Sequence, residues 1–299
     1  MNKDSKLIFE RQNQIGLVEV QKTAACCYAC GKKLTLWLAL VLILVPLVVN
    51  VLLLFLDNVI LNATLSILSF LSLILAGVLR KKIRQSKFNG AGLQQYFDEL
   101  VFMLNNSSRK YLAPKKLMST ERLSLICKYK EKDATPYKNW YSDFSALPYE
   151  QAVYQCQKQN IRWDLSIRKK YRIFLIVITF ILSLLIILNS IWQRQEITSL
   201  ITVVASIFPL FSYFFSSFRK LNSDITLQEE LYKHIEKIEK NITTKKEIWD
   251  EVEELQVEIF NYRKKAYLIP DWFHQIFKKE TQKNEDEFAK LISKEKLEN

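Results

Sequence analysis

Four long apolar segments, paired as two tight hairpins, constrain this chain more than any other feature. The first pair fills residues 34–79 and the second 173–218. A bilayer-crossing helix needs about 20 apolar residues at about 1.5 Å rise each, so each hairpin has room for two. Asp57 is the only charge in the first pair, and Arg194 and Glu196 are the only charges in the second. All three sit mid-hairpin, where the chain must turn in headgroups or water. Four such helices would be unusual in the core of a soluble protein of this size. The 33 mostly polar residues ahead of the first segment argue against a secretory signal. Spans are expected at 34–56, 59–79, 173–192 and 197–218, giving a mostly all-α integral membrane protein of four transmembrane helices.

Charge beside the spans sets orientation. Lys32 and Lys33 precede the first span, and Arg80, Lys81, Lys82, Arg84 and Lys87 follow the second. Arg168, Lys169, Lys170 and Arg172 precede the third, and Arg219 and Lys220 follow the fourth. All four clusters fall on one side if each hairpin dips through the membrane and returns. The positive-inside rule makes that side cytoplasmic. The expected organisation is a cytoplasmic N-terminal helix (1–33), hairpin one (34–79), a helical cytoplasmic middle domain (80–172), hairpin two (173–218) and a helical cytoplasmic tail (219–299). Cys26, Cys27, Cys30, Cys127 and Cys156 all fall on the reducing side.

Cys27 and Cys30 form a lone CxxC. A zinc site would need two more ligands, and the chain has only His234 and His274. Small helix residues near the membrane are the plainer reading, with lipidation or redox sensing as others; no cofactor is expected. The net charge of +12 is more than half explained by the span flanks, and the rest invites an anionic cytoplasmic ligand. Only five glycines occur, which argues against Gly-rich phosphate loops and a turn-rich β architecture. HExxH, GxSxG and Walker A patterns are absent, and Asp98 and Glu99 lie on an amphipathic helix face, so no enzyme is expected.

Periodicity predicts an amphipathic helix over 6–30, with Ile8, Arg11, Ile15, Val18 and Lys22 on one face. Asn89–Gly92 reads as a break, followed by a helix face of Leu93, Tyr96, Phe97, Leu100, Val101 and Leu104. Leu117–Tyr129 is strand or helix. Pro148 suits a helix start, and Asp164 suits the cap of a helix running into the third span. In the tail, Leu231, Ile235, Ile238 and Ile242 mark one helix, and a Thr244–Glu247 capping box opens another bearing Ile248, Val252, Leu255, Ile259, Tyr262 and Ala266. These two suit an intramolecular hairpin or a coiled coil between protomers. Asp271 should cap a short helix, with weak order beyond Lys279.

No charge lies deep in any span, which excludes a proton relay or voltage sensor there. The fourth span instead carries Thr198, Thr202, Ser212 and Ser216 on one face. Such a stripe suits either helix packing or the lining of a water-filled path in an assembly.

One set of short motifs is more specific. Asn139-Trp140-Tyr141-Ser142-Asp143 leads to Leu147-Pro148, Cys156-Gln157, Asn160, Trp163-Asp164 and Arg168-Lys169-Lys170-Tyr171 before the third span; Ile269-Pro270-Asp271-Trp272-Phe273 comes later. With two hairpins and a helical tail, this resembles the SMODS-associated four-transmembrane effector family of bacteria over essentially the full length. The resemblance implies a pore-forming or membrane-disrupting effector of cyclic-oligonucleotide-based antiphage signalling (CBASS). It would sit in the bacterial inner membrane, answer a cyclic oligonucleotide, form a homo-oligomer, bind no DNA or RNA duplex, and cause abortive infection. The alternatives are a constitutive small channel or transporter subunit, or a non-conducting scaffold or receptor. Phosphates seek Arg or Lys and bases seek aromatic faces. Tyr137, Lys138, Trp140, Tyr141, Arg162 and Trp163 therefore form the candidate sensor surface, the alternative being core tryptophans and a headgroup-anchoring arginine.

Overall fold

The computed structural model describes residues 4–55, 59–104, 117–192, 197–241 and 245–298. Among these, the regular structure is helical: α1 (Lys6–Arg11), α2 (Ile15–Phe55), α3 (Val59–Val101), α4 (Ser119–Lys128), a 3-10 turn (Thr135–Tyr137), α5 (Tyr149–Trp192), α6 (Ile197–Asn241), α7 (Lys245–Arg263) and α8 (Asp271–Glu298). Four of them dominate. Helices α2, α3, α5 and α6 have 41, 43, 44 and 45 residues. At about 1.5 Å per residue each is roughly 60–70 Å long, about twice a bilayer's hydrocarbon thickness.

Among the described residues, three helices are long and apolar enough to cross a membrane, within Ile15–Val45, Ala63–Val101 and Tyr149–Asn189. Their apolar side chains face outward, as lipid solvent allows: Phe70, Leu71, Phe180 and Leu185 are all more than half exposed. The expected fourth span falls in α6. The side chains of residues 197–207 lie outside the described residues, as do the expected hairpin tips at Asp57, Asn58 and 193–196.

The long helices pass from apolar to polar sequence without a break, so several expected boundaries move. Asn89–Gly92 does not interrupt α3. Its glycines serve packing instead: a Cβ on Gly90 would lie 2.9 Å from the Tyr28 ring, and one on Gly92 would lie 2.8 Å from Leu117. The helix expected over 6–30 is two helices, and α2 continues directly into the first apolar segment. Ile15, placed on the apolar face by periodicity, is exposed, whereas Ile8, Val18 and Lys22 are buried. The Lys22 ammonium is satisfied there by the Lys130 and Lys132 carbonyls and by Glu19. Leu117–Tyr129 resolves as the helix α4.

Asp164 is not a cap. Helix α5 starts at Tyr149, after Pro148, and Asp164 lies one-third of the way along it. The tail also differs from expectation. Helix α6 carries the fourth apolar segment straight into Asn241, and α7 packs on α5 and α3 while its Val252, Leu255 and Ile259 share a core cluster with Ile235 of α6. The Thr244 capping position lies outside the described residues. Helix α8 has 28 residues, and its charged C-terminal half is docked, with Glu285 and Ala289 buried. The physical reason is pairing: Arg162 of α5 donates Nε and Nη2 to the Glu285 carboxylate and lies 4.0 Å from the Phe288 ring centroid.

Two apolar clusters hold the polar half together. The larger joins Leu93, Phe97 and Val101 of α3 to Ala152, Val153 and Cys156 of α5, Val252 and Ile259 of α7, and Ala289 of α8. The smaller lies where α5 and α6 leave the polar half. There Ile167, Tyr171, Leu221 and Ile225 meet Ile269 and Phe273.

Candidate functional site

A cavity of about 510 Å³ opens between the polar halves of the long helices. This is ordinary ligand-pocket size. Its wall takes Gln21, Tyr28 and Lys32 from α2, Gln94 from α3, Trp163, Asp164 and Arg168 from α5, and Gln228 from α6. The tail closes it with Tyr262 and Arg263 of α7, the 266–269 linker, and Asp271, His274 and Lys278 of α8. The remaining wall is the segment Pro136–Trp140.

That segment is set by two amide clamps. Asn139 has a φ of 50°, a left-handed conformation that Asn tolerates better than most residues. Asn13 holds it there: its Nδ2 donates to Asn139 Oδ1 at 2.8 Å, and its Oδ1 accepts from the Asn139 amide at 2.9 Å. Gln12 grips the Tyr141 backbone the same way, at 2.7 Å to the amide and 3.2 Å to the carbonyl. Adjacent side chains then face opposite ways. Trp140 lines the cavity, and Tyr141 enters the core, stacked with Phe97.

Behind the wall lie two buried polar clusters. In the first, Asp98 accepts from Tyr141 Oη at 2.6 Å, Gln256 Nε2 at 2.9 Å and Arg263 Nη1 at 2.7 Å, while Asn160 Nδ2 donates to Tyr141 Oη at 2.9 Å. This cluster ties α3, α5 and α7 to the 139–141 segment. Burial and the nearby Asp98 carboxylate push the Tyr141 hydroxyl well above its usual range. Burial alone would weaken the Arg263 cation, but Asp98 together with the Tyr141 and Tyr28 hydroxyls outweighs it and holds Arg263 charged. In the second, Asp164 Oδ2 accepts from Arg168 Nε, Gln228 Nε2 and Tyr262 Oη, each at 2.7 Å. Arg168 also donates to Asp224 Oδ2 of α6 at 3.2 Å and to the Tyr267 carbonyl at 3.1 Å. The cluster locks α5, α6 and the tail together. His274 of α8, partly buried on the cavity wall, is pushed down to about 4 by burial and then by the Lys32 charge, with Asp164 opposing. It is neutral at physiological pH.

The structure brings Tyr137, Lys138, Trp140 and Trp163 to one cavity wall. It does not bring Tyr141 or Arg162 there: Tyr141 is committed to Asp98 and Arg162 to Glu285. Ser212 and Ser216 are exposed on α6, whereas the side chains of Thr198 and Thr202 lie outside the described residues. Sequence reasoning missed Gln21, Gln228, Tyr28 and His274, which have no local signature. Asp164 and Arg168 did have one, their i, i+4 spacing on a single helix.

The family model for the SMODS-associating 4TM effector domain matches residues 6–294, nearly the whole chain. The chain belongs to this effector family. Neither a curated protein nor a solved structure matches it. Membership together with the apolar helices makes it a multi-pass membrane protein, with an effector role in CBASS-type defence. The cavity of this SMODS-associating effector is walled by every helix that runs on into apolar sequence.

Proposed function

We propose that this effector is a cyclic-oligonucleotide-gated membrane permeabiliser that executes abortive infection. One observation carries the reading: a cavity walled by the polar ends of α2, α3, α5 and α6 also gathers aromatic faces and cations, from α2 and α5, the 136–140 segment and the tail. Trp140, Trp163 and Tyr137 offer stacking surfaces for bases. Lys138 and Lys278 offer charge to phosphates, whereas Lys32 is paired with Asp271, and Arg168 and Arg263 with buried carboxylates. A ligand shifts an equilibrium only by binding one state better than another. A ligand bridging these walls does so when the four helices pack differently in the resting and active states. Each helix is continuous, so a rearrangement at the cavity reaches the apolar half without a hinge.

The proposed arrangement is four spans in two hairpins, in the bacterial inner membrane, with both termini and residues 80–172 cytoplasmic. A homo-oligomer would bring the fourth-helix stripe of Thr198, Thr202, Ser212 and Ser216 around a path. The test is dye release from liposomes containing the full chain, with a panel of cyclic di- and trinucleotides, alongside calorimetric binding. Release with one nucleotide class and none without it supports the reading. Release that ignores every nucleotide makes the chain a constitutive channel, and binding without release makes it a receptor.

A further inference from the structure

Helix α8 divides the circumference of its first two turns among different surroundings. Asp271, His274, Gln275 and Lys278 wall the cavity. Phe273 and Phe277 pack into the core cluster around Tyr171. Trp272 and Ile276 lie on the remaining side, 50 % and 62 % exposed. Their level relative to the spans is set by α5, along which α8 runs antiparallel. Glu285 pairs with Arg162, Glu280 pairs with Lys170 at 3.1 Å, and the Trp272 ring centroid lies 5.5 Å from that of Phe174. Each step towards the start of α8 is therefore a step along α5 towards its apolar end. Arg172 is the last charge of α5, and the outward residues that follow are Ile173, Ile176, Val177 and Phe180, all exposed. Helix α2 gives the same level: Lys32 pairs with Asp271, and about one turn further on Leu36 and Trp37 are exposed. The start of α8 thus stands where both neighbouring helices change from a charged to an apolar exterior. Trp272 and Ile276 join Ile173 in a patch rather than standing as scattered surface residues.

We propose that the first two turns of α8 are an interfacial anchor whose partner is the bilayer surface, with Trp272 and Ile276 seated between headgroups and acyl chains. The patch is continuous with the apolar exterior that α5 presents to lipid. Tryptophan favours this boundary because its ring is apolar over most of its area and carries one N–H donor for the wet side. Farther along the same stripe of α8 come Lys279 and Lys283, both exposed, the second 3.7 Å from Glu287. A stripe that turns from apolar to cationic as it leaves the acyl region matches a headgroup layer containing anionic lipid. The anchor also bears on the cavity. The same two turns wall it on an adjoining face, so a ligand that moves α8 must move its seat in the lipid as well. The proposal concerns the membrane face of α8 and holds whether or not the cavity takes a nucleotide.

The test uses the full chain in nanodiscs of phosphatidylcholine and phosphatidylglycerol. The native cysteines are replaced by serine, and Ile276→Cys or Lys290→Cys carries a bimane label. Lys290 is exposed on the same stripe of α8, about 21 Å farther from its start. Nitroxides carried on the lipid should quench the label at position 276 severalfold more than at position 290, and aqueous iodide should do the reverse. Iodide that reaches position 276 where lipid nitroxides do not would put this face of α8 in water and overturn the proposal. Shielding of position 276 from both quenchers would also overturn it, by assigning the patch to a second copy of the chain. A second measurement keeps the native cysteines. Brominated acyl chains quench tryptophan on contact, so Trp272→Phe should shrink the emission lost between plain and brominated nanodiscs. An unchanged loss would place Trp272 away from lipid and sink the proposal even where the cysteine-free protein fails to fold.

Discussion

Trp140 and Tyr141 are neighbours in sequence with opposite duties, and the difference is measurable. Tyr141→Phe removes a buried donor to Asp98 and the acceptor for Asn160, which should cost about 1–3 kcal/mol of stability and leave nucleotide affinity nearly unchanged. Trp140→Ala should weaken nucleotide binding by about 1–3 kcal/mol, the worth of one stacked base, and should also lower the melting temperature, because the indole packs partly against the core. Thermal melting checks both losses of stability, and calorimetry on the two variants separates the roles. The aromatic cluster was legible in the sequence as a set of residue types. Its division between cavity and core was not, because it depends on Asn139, held by an amide 126 residues away. His274 yields a second prediction at this scale. Its pKa is about 4 in the fold against about 6.5 in an unfolded chain, so the unfolded state binds more protons between those values. Stability should therefore fall as pH drops from about 6.5 towards 4 and be flat in this term above 7. His274→Gln should reduce the slope of melting temperature against pH in that window.

At the scale of elements, hydrophobic periodicity located the helices well and their ends poorly. Asn89-Gly90-Ala91-Gly92 carries the composition of a break, yet α3 passes through it because Tyr28 and Leu117 need the space that a Cβ would fill. The charged run beyond Lys279 reads as a solvated tail, yet α8 is held by Arg162, a partner that no local pattern points to. This second case is open to test. Glu285→Ala leaves Arg162 largely buried without its carboxylate and should destabilise the protein by about 1.5–3 kcal/mol. Removing residues 280–299 should do at least as much, since Ala289 and Phe288 leave the core with it. Chemical denaturation of the detergent-solubilised protein checks both. A tail deletion with unchanged stability would restore the weakly ordered reading.

For the whole molecule, the sequence conveyed the apolar segments, the helical class and the side-chain chemistry of a ligand surface. It did not convey that the four long helices converge on one cavity, since that depends on packing between α2, α6, α7 and α8, far apart in the chain. The convergence sharpens the orientation argument. A cavity that meets a cytoplasmic nucleotide must lie on the cytoplasmic side, and the polar halves that form it are also where the basic flanks concentrate. Under the proposed function, ligand access asks for the same side that the positive-inside rule favours. Cys127 is exposed on α4 of that polar half. With the other four cysteines replaced by serine, a membrane-impermeant thiol reagent applied to intact spheroplasts should fail to label Cys127 and should label it after lysis. In a background that also lacks Cys127, a cysteine placed at Asn58 or Gln195 should label without lysis. Labelling of Cys127 in intact spheroplasts would put the cavity outside the cell and remove the cytoplasmic nucleotide from its reach. The same result would also require the basic flanks to have been translocated, against the charge bias that normally retains them.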